Sequence, residues 1–242
     1  MSKVIIVTGA ASGLGLEICK ALNGLRGIEV VGVDINGGQY ANYCCDVGDS
    51  NEVGMFASHM IGEMPSQDEV FGIINCAGIN CNEWFADICA ESMMRVMGVN
   101  AFSMVHMVQP FLKHLQASEG FVLNIVSNAA NMPMTSSLAY NASKAAALMI
   151  TKQMAHELTK THGITVFSVS PNKIAGTGMS KQIEDNVVKT RGWTKEYAAE
   201  YQRKSLMHGL ESPPEGIAQF IAELITSGNW KYMSGCDIPF GK

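Results

Sequence analysis

With 242 residues, 47% of them hydrophobic and only 16% charged, the chain has material for a large buried core and none of the marks of a disordered polymer. Its net charge of −5 gives no basic footprint for nucleic acid or for an anionic membrane surface. The seven cysteines are odd in number and show neither a Cys-x-x-Cys pair nor a histidine spacing of the zinc kind, so they read as buried free thiols and no metal is expected.

The first residues, Met1 to Gly9, hold an apolar run far too short for a signal peptide or a membrane span, which points to a cytoplasmic protein. Within them, Val4 to Val7 is a continuous β-branched run suited to a strand buried on both faces of a parallel sheet. Thr8-Gly9-Ala10-Ala11-Ser12-Gly13-Leu14-Gly15 follows, then a helix-like stretch from Leu16 to about Leu25. Such a turn lets the backbone come close to a ligand, and a helix amino terminus offers unpaired N–H groups to a pyrophosphate. Gly9, Ser12, Gly13, Leu14 and Gly15 are therefore candidate cofactor contacts, although their spacing is not Gly-x-Gly-x-x-Gly and a tight turn alone would use the same glycines.

The next strand, Ile28 to Val33, ends in Asp34, nineteen residues beyond Gly15. A carboxylate there can accept hydrogen bonds from ribose hydroxyls and would repel a 2′-phosphate. Neither Ser12 nor Ile35-Asn36 supplies an opposing cation, which favours NAD over NADP. Asp46 and Val47 follow a short third strand, and Asp46 either reaches the adenine edge or caps the helix beginning near Ser50. A fourth strand, Val70 to Ile74, runs into Asn75-Cys76-Ala77-Gly78, small residues at the edge where ligands gather in open α/β folds. A long apolar-periodic segment from about Ser92 to Leu115 carries Asn100 in its interior, where an asparagine commonly bonds the local backbone. Phe121 to Val126 reads as a fifth strand ending in Ser127, and Ile164 to Val169 as a sixth ending in Ser170-Pro171.

Tyr140 and Lys144 stand four residues apart, one helical turn above each other, so their polar tips can approach a common point. A free phenol titrates near ~10 and is a poor base at neutral pH, but a cation about 4 Å away is worth roughly 4 kcal/mol at intermediate dielectric. A tyrosine tuned in this way can exchange a proton with an alcohol or carbonyl oxygen, which a hydroxyl such as Ser127 can hold. A lone Tyr-x-x-x-Lys is also commonplace on helix surfaces.

Taken together, the chain resembles a classical short-chain dehydrogenase/reductase from residue 4 to about 175. Thr8 to Gly15 resembles that family's cofactor loop and Asn75 to Gly78 its Asn-Asn-Ala-Gly element, with Ile74 in the first position. Asn100, Ser127, Tyr140 and Lys144 fall where the family keeps its catalytic tetrad, with thirteen residues from serine to tyrosine. The resemblance implies a doubly wound α/β domain over 1–242, a seven-stranded parallel sheet with helices on both faces, and NAD-dependent hydride transfer to or from an alcohol or ketone. It assigns the acid–base role to Tyr140, pKa tuning and nicotinamide-ribose binding to Lys144, the substrate oxygen to Ser127, and a proton-relay water to Asn100. Two further readings stay open: a ketoreductase for acyl-carrier-bound substrates, against which Asp34 speaks, and a non-catalytic NAD-binding sensor.

Cofactor contacts are implied at Asp46, Val47, Asn75, Ala77, Gly78, Tyr140, Pro171, Asn172 and Ile174 as well, but the family's Pro-Gly is Pro171-Asn172 here and its downstream threonine is displaced by Gly176, with Thr177 next. If glycine serves there for positive φ, Asn172 is expected in the left-handed region; otherwise the loop takes another path. Residues 177–211 correspond to a substrate lid, and Ser212-Pro213-Pro214-Glu215 resembles a capping box. Pocket candidates Ala129, Met132, Met134, Asn172 and Met179 suggest a largely apolar substrate. Apolar residues around much of Val96 to Leu115 and Ala145 to Leu158, with the family resemblance, lead to an expected homotetramer.

Overall fold

The structure, a computed structural model, describes residues 2–206 and 209–241. Met207 and His208, inside the expected lid, and the two terminal residues lie outside the described residues. Seven strands, β1 (Lys3–Thr8), β2 (Ile28–Asp34), β3 (Ala41–Cys44), β4 (Glu69–Asn75), β5 (Phe121–Ile125), β6 (Thr165–Pro171) and β7 (Asp237–Phe240), form one sheet in the order β3-β2-β1-β4-β5-β6-β7. Every neighbouring pair is parallel. The chain reverses its direction of travel between β1 and β4, and the crevice outside their carboxyl ends is where such sheets bind ligands.

The continuous apolar runs exist because both faces are covered. Alternate residues supply the two cores: Val4, Ile6, Val122 and Val166 face one, and Ile5, Val7, Leu123 and Phe167 the other. The first core is closed by α2 (Ser50–Glu63), through Val53, Phe56 and Met60, and by the segment holding α3 (Ala90–Met97), α4 (Ser103–Val108) and α5 (Leu112–Ala117). The second is closed by α1 (Gly13–Asn23), through Leu14, Ile18 and Leu22, and by α9 (Pro214–Ser227), through Ile217, Ile221 and Ile225. Between β5 and β6 runs α6 (Leu138–His162), which buries the small residues Ala139, Ser143, Ala147, Thr151 and Ala155 at steps of four. That stripe lets the helix lie close to the sheet, and Gly163 ends it in the left-handed conformation at φ 69°. The polar stretch after β6 forms α7 (Gly178–Arg191) and α8 (Lys195–Ser205).

Three local expectations are corrected. Asp49, not Asp46, caps α2, its side chain accepting from the Asn51 N–H at 2.8 Å. The box at residues 212–215 does not form: α9 opens from Pro213 with Pro214 in the first turn, and the Ser212 hydroxyl turns away to donate to Asn172 Oδ1 at 2.6 Å. The cysteines are free thiols, yet Cys44, Cys89 and Cys236 are exposed rather than buried.

Candidate active site

A cavity of about 1260 Å³ opens over the carboxyl ends of β1, β2, β4, β5 and β6. Its lining includes Gly9, Ser12, Gly13, Leu14, Gly15, Asp34, Asp46, Val47, Ala77, Gly78, Ser127, Tyr140, Lys144, Pro171, Asn172 and Ile174, so sixteen of the eighteen expected site residues meet there. Asn75 and Asn100 do not line it.

The glycine-rich turn is shaped by contact between two strand ends. Gly9 has φ 75°, and a Cβ there would come within 3.0 Å of the Ala77 backbone. The Thr8 hydroxyl fastens the same junction, accepting from the N–H groups of Cys76 and Ala77 at 3.0 Å each. A Cβ on Gly15 would strike the Gly9 carbonyl oxygen at 2.1 Å, so α1 can start here only with glycine. Ser12 precedes that start without a side-chain cap, and the first turn carries no acid. The terminal N–H groups and the positive end of the helix are thus free of a competing carboxylate, as a pyrophosphate would require. Asp34 is held by the Ala11 N–H at 3.0 Å and the Asn36 N–H at 2.9 Å, which still leaves lone pairs for ribose hydroxyls. These residues fit a dinucleotide. Asp46 is less free, since its carboxylate accepts from the Gly48 N–H at 2.9 Å and pairs with Arg95 at 2.7 Å. Arg95, which also lines the cavity, carries no recognisable signal in the sequence.

At the other end of the cavity, α6 carries Tyr140 and Lys144 and β5 delivers Ser127. Lys144 is 5% exposed and its ammonium donates to the Ile125 carbonyl at 2.9 Å, 5.9 Å from the centroid of the Tyr140 ring. Burial brings its pKa down to about 8, and neighbouring Cys76, pushed up to about 12 by its own burial, stays a neutral thiol. Tyr140 also differs from expectation. Burial raises the phenol above its usual value, and the influence working downward is its hydrogen bond with Ser127 rather than a pull from Lys144. The Ser127 oxygen additionally accepts from the Ala129 N–H at 3.1 Å.

Asn100 sits in a π-helical turn, Gly98–Phe102, that breaks the helix between α3 and α4. Its partners are distant rather than local. The amide accepts from the Ile79 N–H at 2.8 Å and donates to the Ile79 carbonyl and the Ser143 hydroxyl, each at 2.9 Å, tying the loop after β4 to α6. A Cβ on Gly78 would lie 3.4 Å from Asn100 Oδ1 and 3.9 Å from the Lys144 ammonium, so the missing side chain leaves space beside both. Asn75 braces the fold instead, donating to Asn124 Oδ1 at 2.8 Å, while Asn124 donates to the Thr151 hydroxyl at 2.9 Å.

The left-handed conformation expected at Asn172 is absent. Among the described residues only Glu119 and Ser136 combine a side chain with positive φ, and in this stretch Gly176 carries it at 64°. Asn172 continues the parallel pairing, its N–H donating to the Phe240 carbonyl at 3.0 Å, and its side chain bonds Gly241 and Ser212. The loop has taken the other path, braced to the last strand.

Sheet order, glycine turn and Tyr–Lys pair define a dinucleotide-dependent oxidoreductase of the doubly wound class. Residues 3–188 match the short chain dehydrogenase family, and the chain belongs to it. Relatives include L-xylulose reductase of Caenorhabditis elegans, 30% identical over 71% of this chain and 72% of that protein. Sorbitol-6-phosphate 2-dehydrogenase of Klebsiella pneumoniae is 27% identical over 96% of this chain and 92% of its own length. In fold, a short chain dehydrogenase family protein from Francisella tularensis superposes with a TM-score of 0.87 at 22% identity, covering 99% of this chain and 97% of that one. 4-Hydroxyisoleucine dehydrogenase complexed with NADH superposes at 0.83 with 22% identity, covering the same shares. The protein is thus an enzyme with an NAD(P)-type cofactor site rather than a silent sensor. Among the described residues no helix is long and apolar enough to cross a membrane, and no group of three or more His, Cys, Asp or Glu could hold a metal ion.

The buried lysine has a measurable signature. Between about pH 8 and 10.5 the unfolded chain carries a proton on this group that the folded chain lacks, so stability rises with pH across that window. Below pH 8 the full cost, about 3 kcal/mol, is present. In urea melts without cofactor, the stability of Lys144→Met relative to wild type should fall by about that amount from pH 7 to pH 10.5. A difference that does not change with pH would mean that the ammonium is solvated.

Proposed function

We propose that the enzyme transfers hydride reversibly between NAD and the carbinol carbon of a small alcohol or its ketone, with Tyr140 as the acid–base residue. The observation that carries this reading is the meeting of Ser127, Tyr140 and Lys144 in a cavity whose far end is the glycine-rich turn. When bound, NAD supplies the hydride acceptor or donor. In oxidation, Tyr140 takes the hydroxyl proton while Ser127 holds the substrate oxygen. One local influence offsets the burial that disfavours the phenolate, the Ser127 hydrogen bond. Lys144 would bind the nicotinamide ribose. Asn100 Oδ1 keeps an acceptor site beside the space at Gly78, supporting a water there that passes protons from Lys144 outward.

Asp34 supports NAD over NADP, and with it argues against the acyl-carrier ketoreductase reading. Proteins of similar fold include one complexed with NADH and another, L-sorbose reductase from Gluconobacter frateurii, complexed with NADPH, so the choice rests on this chain's own residues. Arg95, a cation in the cavity wall, is neutralised by Asp46 and does not reverse the preference. For the substrate, Met132, Met134, Met179, Ile183, Val187 and Trp193 share the lining with Asn80, Asn82, Asn128 and Asn131. That mixture supports a small hydroxylated substrate with an apolar part; relatives are named for xylulose, sorbitol 6-phosphate and threitol, and one for a 3-beta-hydroxysteroid. Residues 177–211 act as its lid, reaching across to the body through Trp84 Nε1–H, which donates to the Thr190 carbonyl at 2.8 Å. The homotetramer is supported by Phe102 and Met149, which remain exposed on the helical segments expected to form the interface.

Tyr140→Phe should lower turnover by about 10² to 10⁴-fold with NAD affinity nearly unchanged, and a variant keeping more than about a tenth of the rate would remove the tyrosine from the mechanism. With a panel of alcohols and ketones followed by nicotinamide absorbance, wild type should prefer NAD by about a hundredfold, and Asp34→Ser should narrow the gap. Equal use of both cofactors by wild type would contradict the role given to Asp34. Light scattering at micromolar concentration should return four times the mass of one chain; a monomer would assign the apolar helix faces to some other purpose.

A further inference from the structure

Arg191, in the last turn of α7, lines the same cavity as Tyr140. Its Nε–H donates to the Ser136 hydroxyl at 3.3 Å, one Nη2 hydrogen goes to the Thr135 carbonyl, and the guanidinium lies 4.8 Å from the Trp193 ring centroid. Thr135 and Ser136 stand five and four residues ahead of Tyr140, so the cation is fastened beside the start of the helix that carries the tyrosine. These partners are neutral, and they leave three of the five N–H groups without an acceptor among the described residues.

The other cations of the cavity wall are accounted for. Arg95 pairs with Asp46 at 2.7 Å, Lys173 with Glu184 at 2.6 Å and Glu211 at 2.7 Å, and Lys204 with Glu200 at 2.7 Å. Lys195 is exposed to water, and Lys144 belongs to the proposed proton-transfer group. Arg191 is half-buried, and among the described residues no carboxylate lies within ion-pair distance of it. Desolvation lowers the guanidinium pKa, with only the Tyr201 hydroxyl working the other way. A helix end favours a cation but does not require one to surrender water. A fixed guanidinium plane with free N–H groups is the usual receptor for a carboxylate or phosphate.

We propose that Arg191 receives a terminal oxyanion of the substrate, so that the enzyme's hydroxy or keto substrate carries a phosphate or carboxylate at the end remote from the reacting carbon. This rests on the alcohol/ketone reading of the cavity and adds to it a charge requirement.

The test compares a six-carbon polyol, its 6-phosphate and the corresponding aldonic acid as substrates for the NAD-loaded enzyme. At least one anionic compound should exceed the neutral polyol in kcat/KM by about tenfold or more, and which one does so separates phosphate from carboxylate. In Arg191→Gln the ratio should collapse to within about twofold, while Arg191→Lys should keep part of it. If Arg191 only clasps residues 135 and 136, its loss lowers all three rates together and leaves the ratio intact, which would overturn the proposal. So would a wild type that does not distinguish charged from neutral substrates, a result available even if the glutamine variant fails to fold. A second arm needs no turnover: inorganic phosphate should raise the melting temperature of NAD-loaded wild type above that in chloride of equal ionic strength, and not that of Arg191→Gln. Absence of turnover with every alcohol would defeat the hydride-transfer reading, whereas absence of the phosphate-dependent shift would defeat the anion site.

Discussion

A lysine taken out of water without a carboxylate is the constraint on which the sheet's carboxyl edge depends. The Lys144 ammonium keeps one protein partner, the carbonyl at the end of β5, and that bond exists only because α6 lies close against the strands. The close approach comes from the small side chains at 139, 143, 147, 151 and 155, and from the chain of amides and hydroxyl running Asn75, Asn124, Thr151 across β4, β5 and α6. A bulky residue on that stripe would lift the helix, and the first casualty would be the position of the amine rather than the fold itself. Packing and chemistry are set by the same atoms here.

The cavity is electrostatically uneven along its length. At the adenine end, Asp34 is positioned by two backbone N–H groups while Arg95 and Asp46 cancel each other, leaving a net negative character that suits uncharged ribose hydroxyls. Toward Tyr140 and the proposed lid, Lys144 and Arg191 face the space without carboxylate partners of their own. Unpaired cations at this end favour an oxyanion in the substrate and an alkoxide or phenolate at the reacting centre.

How much of this could be read beforehand follows from the range of each interaction. Strands such as Val4 to Val7 announce themselves because burial on both faces forces unbroken apolar runs, and the glycine turn and the Tyr140–Lys144 pair are local spacings. Several misreadings concern side chains whose partners are remote in sequence. Asn100 was placed in the tetrad by resemblance, with local backbone bonding as the alternative, and it bonds a loop twenty-one residues away. Asn75 sits within a motif, and its amide N–H donates to Asn124, forty-nine residues on. Ser212 matched a cap and instead serves Asn172, forty residues back. The arginines at 95 and 191 had no pattern to betray them, because a cation's importance lies in which carboxylates surround it. Tyr140 was misjudged for a related reason: spacing shows that a lysine is near, but not that burial outweighs it.

The π-helical turn at Gly98–Phe102 has a consequence for how this segment tolerates change. A turn of this kind accommodates one residue more than the α-helix it interrupts, so α3 and α4 are offset in phase around their common axis. Deleting any single residue within the turn could restore regular helix and lose little backbone hydrogen bonding. It would also rotate everything on one side by about 100°, carrying Asn100 off the Ile79 loop or α4 off the sheet. The segment therefore works as a vernier: an insertion or deletion here is read out as misaligned chemistry in a protein that still folds.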